Sequence, residues 1–200
     1  MKRNLIATIL ALSSLTAAGH VMASDGTVHF RGEITDAGCT IDTGDADKYV
    51  DMGRVARTKL DNVGVMSDPT EFTIALTNCP ATYTKVAMKF DGESDPASDG
   101  DLKIGSAGAP GAAAAPVNDA THPSGDYTGS GAAIAATGVA IRISNPSGTQ
   151  VKLYNESEPV TVAADGSANL KFIARYIATT KTVTAGTANA DSQFTITYTK

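Results

Sequence analysis

The sequence predicts an all-β sandwich of immunoglobulin-like type. Three observations carry that reading: apolar residues recur at every second position in many short segments, turn residues close nearly all of them, and helical periodicity is almost absent. A period of two gives each strand one apolar and one polar face, so the strands stack as two layers over a shared core.

The elements follow in chain order. Residues 26–34 alternate through Val28, Phe30 and Ile34. Residues 49–53 read as a short strand ending on Gly53. Residues 71–76 alternate through Phe72, Ile74 and Leu76 and run into Cys79-Pro80. Residues 86–90 place Val86, Met88 and Phe90 on one face and stop at Asp91-Gly92, a strong turn signal. Residues 139–143 stop at Asn145-Pro146, and residues 151–154 follow the Ser147-Gly148 turn. Residues 168–177 carry Leu170, Phe172, Ala174 and Tyr176 on one face. Residues 193–199 close the chain with Phe194, Ile196 and Tyr198 alternating against threonines. Residues 61–66 are too short and polar for a strand and read as a helical turn or loop.

Ahead of the first strand lies an export signal. Lys2 and Arg3 precede an apolar run from Leu5 to Leu15, and Val21-Met22-Ala23 offers small residues before a cut. The run is too short to span a bilayer as a permanent helix. Cleavage after Ala23 makes residues 1–23 the signal peptide and Ser24 the new N-terminus; a cut after Ala18 is the weaker option. The formal charge of −5 becomes more negative once Lys2 and Arg3 leave. An acidic surface argues against nucleic acid and anionic lipid as partners.

Cys39 and Cys79 are the only cysteines. An even count in an exported chain reads as one disulfide tying two adjacent strands at one end of the sandwich. Closing a loop of about 40 residues stabilises by about 4 kcal/mol on the chain-entropy estimate. Zinc is the rival use of two thiols, but no Cys-x-x-Cys or paired histidine spacing supplies the remaining ligands.

Gly, Ala and Pro dominate residues 105–138, including the run of four alanines at 112–115. This reads as a long surface loop of a single domain covering residues 24–200, rather than as a linker between two domains. No internal repeat stands out.

The chemistry of enzymes is not legible here. His29 points away from the apolar face of its strand and reads as solvent-facing, and His122 stands alone in the Gly/Ala-rich loop. Asp91, Glu93, Asp95, Asp99 and Asp101 suggest a calcium loop, yet the twelfth position from Asp91 is Leu102, where an EF-hand needs Glu. They read instead as a solvated acidic turn. No nucleophile elbow, zinc-protease helix or phosphate-binding glycine loop occurs. The expectation is no enzyme, no cofactor and no metal.

The order of these elements resembles that of the chaperone–usher pilins, above all the major structural subunits of type 1 and related fimbriae. The likeness rests on the export signal, the run Gly26-Thr27-Val28-His29-Phe30-Arg31-Gly32-Glu33-Ile34, Cys39 just after it, a second cysteine at Cys79, and a terminal alternating strand ending near Tyr198. It covers residues 24–200; this chain continues past Tyr198 with Thr199 and Lys200. The resemblance implies an incomplete immunoglobulin-like fold whose last strand is missing and is donated in trans. Residues 24–34 would be the donor strand, with Ser24, Gly26, Val28 and Phe30 facing the acceptor. Phe194, Ile196 and Tyr198 would line the groove that receives it. The implied partners are a periplasmic pilus chaperone, an outer-membrane usher and neighbouring subunits in a head-to-tail polymer. The implied location is the cell-surface fimbria, reached through the periplasm, and the implied role is cell adhesion through the assembled fibre. The alternative is a minor or tip-proximal adaptor or adhesin subunit with a receptor-binding role. Alternation at Gly26 directly after the signal leaves no room for a separate lectin domain, which favours the structural subunit.

Overall fold

A computed structural model describes residues 28–31, 34, 38–105 and 135–200. Residues 1–23, expected to be the signal peptide, together with Ser24, Gly26 and most of the Gly/Ala-rich segment, lie outside the described residues. The chain divides into two units, Met1–Thr35 and Asp36–Lys200. In the first, residues 28–31 and 34 join no strand, and Val28, Phe30 and Ile34 are exposed, Phe30 to 93%. The strand expected there is therefore not formed among the described residues.

The second unit is a two-layer antiparallel sandwich. Its described strands are β1 (Thr40–Ile41), β2 (Thr70–Thr77), β3 (Lys85–Asp91), β4 (Leu102–Lys103), β5 (Val139–Ser144), β6 (Val160–Thr161), β7 (Ala168–Ala178) and β8 (Gln193–Thr199). One sheet runs β1-β2-β7-β5-β4 and the other β6-β3-β8. Among the described residues, helical structure is limited to one 3-10 turn, Arg57–Lys59.

Alternation decides which side chains enter the core. Phe72 lies opposite Phe172 and Ile74 opposite Leu170 in the β2–β7 ladder, and Ile141 faces Tyr176 in the β5–β7 ladder. From the other layer, Phe90 sets its ring edge-on to Phe172 at 5.0 Å, and Phe72 completes the cluster 5.4 Å from Phe172. Edge-to-face rings contribute about 0.5–1.5 kcal/mol beyond their buried area, so this trio is a seam between the sheets.

The disulfide forms as expected. Cys39 bonds Cys79, joining the residue before β1 to the turn after β2, its antiparallel neighbour.

Three expectations require correction. Residues 49–53 form no strand, because the chain has already turned away from β2 at residues 42–47 and meets no ladder. Residues 151–154 form no strand either. Their N–H groups go to three separate places, Val151 to the Ile143 carbonyl, Leu153 to that of Gly100 and Tyr154 to that of Phe90, so no single partner runs alongside. Val151 and Leu153 still point into the core, which is why they alternated.

The acidic segment is not simply solvated. Asp101 is only 1% exposed and takes a two-pronged bond from Arg142, Nε to Oδ1 at 2.9 Å and Nη2 to Oδ2 at 2.8 Å. Gln150 Nε2 donates to Oδ1 at 2.8 Å and Ser98 Oγ to Oδ2. Glu93 pairs with Lys103 and Asp99 with Lys152. The carboxylates are thus largely occupied by the chain's own donors.

Removing one member of a buried ion pair strands the other. Asp101→Ala should cost about 3 kcal/mol, the lower part of the usual range because the Arg142 side chain keeps some solvent. Arg142→Met in that background should return part of the loss. Urea unfolding of the single and double variants measures both; equal midpoints for wild type and Asp101→Ala would contradict the clamp.

Candidate functional site: an open strand edge

β3 and β8 form one ladder, yet their inward residues have very different surroundings. Val86 lies opposite Tyr198, Met88 opposite Ile196 and Phe90 opposite Phe194. Val86 and Met88 are fully buried and Phe90 is 4% exposed, whereas their three partners on β8 are only half-buried, although they pack on the same core. Among the described residues, the cover over the core ends at β8.

The backbone explains where. β3 is flanked on both sides: β6 and residues 154–157 take one edge and β8 takes the other. Because Tyr154 N–H bonds the Phe90 carbonyl and Ser157 N–H bonds that of Met88, alternation turns Lys89 and Ala87 toward β8. Their partners Thr195 and Thr197 are thereby bonded. Phe194, Ile196 and Tyr198 turn their N–H and C=O groups the other way, where no strand pairs with β8 among the described residues.

Across this edge stands the chain between Gly38 and Asp47. At one end the Cys39 N–H donates to the Tyr198 hydroxyl at 3.2 Å, and Tyr83 stacks on the Tyr198 ring at 4.7 Å. Gly38 permits the approach, since a Cβ there would sit 2.5 Å from the Tyr198 oxygen. At the other end Asp47 lies close enough to Asp191, just before β8, to act on its charge. Between them the two segments share no ladder. An apolar floor, a row of backbone groups without a strand partner among the described residues and a facing wall are the features that strand addition requires.

Sequence reasoning placed Phe194, Ile196 and Tyr198 on this inner face, and the structure brings the three together there. Cys39 and Cys79 anchor the nearby end. Val28 and Phe30 belong to the other unit, and Ser24 and Gly26 lie outside the described residues. Gly38 and the acidic residues at the wall were missed. Their role depends on contacts far apart in sequence, for which no local pattern exists.

Two carboxylates here titrate abnormally, in opposite directions. Partial burial, and then the neighbouring Asp47 charge, push Asp191 up from its ordinary value. Burial also pushes Asp45 up, but hydrogen bonds from Lys48 and the Ala75 N–H, with the Lys48 charge, outweigh it and hold Asp45 low. A raised carboxyl binds its proton more tightly when folded, so the Asp191 charge opposes folding at neutral pH and that opposition fades on acidification. Asp45 contributes stability above the ordinary carboxylate value of 3.8 and loses it as the pH falls through its lower folded pKa. Asp191→Asn should therefore raise the unfolding midpoint at pH 7, with the difference closing as the pH falls through the raised pKa of Asp191. Thermal melts across pH 3–7, a range of about four units around the carboxylate pKa values, measure it; a difference independent of pH would contradict the assignment.

The chain matches the family model described as Fimbrial protein over residues 28–199. It is 31% identical over 198 residues to the type-1 fimbrial protein A chain of Escherichia coli, spanning 96% of this chain and 95% of that one. A type I fimbria protein and antigen of Burkholderia pseudomallei, solved by crystallography, superposes with a TM-score of 0.52 at 31% identity, covering 82% of this chain and 91% of its own. The P pilus rod subunit superposes with a TM-score of 0.55 over 82% of this chain and 100% of that one; at 22% identity this likeness concerns the fold alone.

Proposed function

The chain belongs to the fimbrial protein family and is a structural subunit of a surface fimbria; from that premise we propose that its open β8 edge receives a strand from a neighbouring subunit, so that the fibre grows head to tail by donor-strand exchange. The observation that carries the reading is the burial step across the β3–β8 ladder, from fully buried Val86 and Met88 to half-buried Tyr198 and Ile196. A strand laid along β8 bonds the backbone groups of Phe194, Ile196 and Tyr198 and places its own alternate side chains on the core.

The donor is residues 24–34 of the next subunit, the arm of a single pilin domain covering residues 24–200. Its exposed Val28 and Phe30 each contribute about 1.5–3 kcal/mol if fully buried. Each ladder bond adds about 0.5–1.5 kcal/mol. Gly26 serves where the groove is too tight for a side chain, and Ser24 takes the next position outward. The Gly/Ala-rich segment 105–138 is a surface loop of that domain.

An apolar groove beside a free strand edge aggregates if left open. A periplasmic chaperone therefore occupies it after export, and an outer-membrane usher exchanges the chaperone for the incoming donor arm. The assembled fibre mediates adhesion at the cell surface.

Gly26→Leu and Phe30→Asp should each block polymerisation and leave chaperone capture intact. The leucine meets a pocket without room for it, and the aspartate places an unpaired charge in an apolar site at a cost of several kcal/mol. Electron microscopy of surface fibres, with co-purification of chaperone and subunit, reads both effects. Normal fibres from either variant would sink the assignment of residues 24–34 as donor.

A further inference from the structure

We propose that Asp45 detaches the first strand from β2 and holds it as the far wall of the strand-accepting groove, which makes it a positioning residue for donor binding; the inference rests on the acceptor reading above. β1 starts along β2 with Thr40 opposite Thr77 and Ile41 opposite Leu76. One step further, Asp42 comes opposite Ala75, where an antiparallel ladder exchanges two N–H···O bonds. Only one of them forms: the Asp42 N–H donates to the Ala75 carbonyl at 3.0 Å. The Ala75 N–H donates instead to Asp45 Oδ2 at 2.7 Å.

The Asp42 carbonyl, relieved of that bond, turns to accept the Asp45 N–H at 2.9 Å and the Ala46 N–H at 3.2 Å. A side-chain carboxylate thus stands in for a backbone carbonyl at the edge of β2. The edge donor stays satisfied while the chain leaves the sheet. Asp45 is 8% exposed, and Lys48 Nζ holds its other oxygen at 2.6 Å. Beyond the turn, Lys48 to Asp51 stand across an open cavity from Thr70 to Thr73 of β2 rather than laddering with them. The freed chain carries Asp47 within reach of the charge of Asp191, two residues before β8.

Without the carboxylate, the Ala75 N–H is left unpaired or draws the Asp42 carbonyl back, and β1 lengthens along β2. The wall then moves away from β8, and an inserted donor loses the lining on its second side. Loss of a charge-assisted bond has a matching effect on whatever depends on the turn.

The test uses dilute mature chain and a labelled synthetic peptide of residues 24–34, with affinity read by fluorescence anisotropy. Asp45→Ala should bind the peptide roughly tenfold more weakly than wild type, with circular dichroism and disulfide content unchanged. Asp45→Asn should fall between, because its amide oxygen still accepts the Ala75 N–H. If the alanine variant fails to fold, Asp45→Asn and Lys48→Met carry the comparison, each with a loss of about two- to fivefold. Denaturant unfolding with and without saturating peptide separates positioning from bulk stability: positioning makes the variants lose more stability with peptide than without. Wild-type affinity in all variants, with equal stability losses in both conditions, would overturn the role of Asp45 alone. Failure of wild type to bind the peptide would overturn the acceptor reading and this inference with it.

Discussion

The shared core of two sheets is closed on one side of β3 and left open on the other, and the rest of the structure depends on that imbalance. Among the described residues, β3 has hydrogen-bonding neighbours along both edges, while β8 has a neighbour along one. The inner side chains follow suit, buried on β3 and half-buried in register on β8. A monomeric sandwich ordinarily hides or blunts such an edge because it templates association. Here nothing among the described residues of the second unit pairs with it, and that row lies over the apolar floor.

A fold missing one strand must be held firmly elsewhere or it loosens throughout. The disulfide fixes β1 to β2 at one end, where the Cys39 N–H also meets Tyr198. The Phe72, Phe90 and Phe172 rings interlock across the two layers. The Asp101–Arg142 clamp, with Gln150 and Ser98, ties the edge beside β4 to β5. Buried pairs of this kind specify geometry more than they stabilise, since desolvation offsets much of the attraction. Together they confine the deficiency to one groove, so an added strand meets a largely formed site and less ordering entropy opposes its binding.

Much of this was legible in the residues. Alternation located β2, β3, β5, β7 and β8 and named the inward faces of β2, β3, β7 and β8, because each is long enough for a period of two to repeat. It failed at Val151 and Leu153, which point inward from a turn and mimic half a strand. The two-residue strands β1, β4 and β6 carry no period at all. The open edge itself was expected only through resemblance to a family; alternation says which face of Phe194, Ile196 and Tyr198 is apolar and is silent on how many neighbours a strand has. The substitution of the Asp45 carboxylate for a backbone carbonyl was invisible, since it links residues 45 and 75, thirty positions apart. The buried Asp101 was misread for a similar reason: its cation, Arg142, lies 41 positions away.

The central claim is that one edge of β8 waits for a partner, and residue-resolved amide hydrogen exchange on the monomeric mature chain tests it most directly. The amides of Thr195 and Thr197, bonded to β3, should be protected, while those of Phe194 and Ile196 exchange rapidly because they face the open side. Addition of donor peptide should bring the second pair to the protection of the first. Equal protection of all four amides before any donor is added would contradict the account and describe a sandwich already complete.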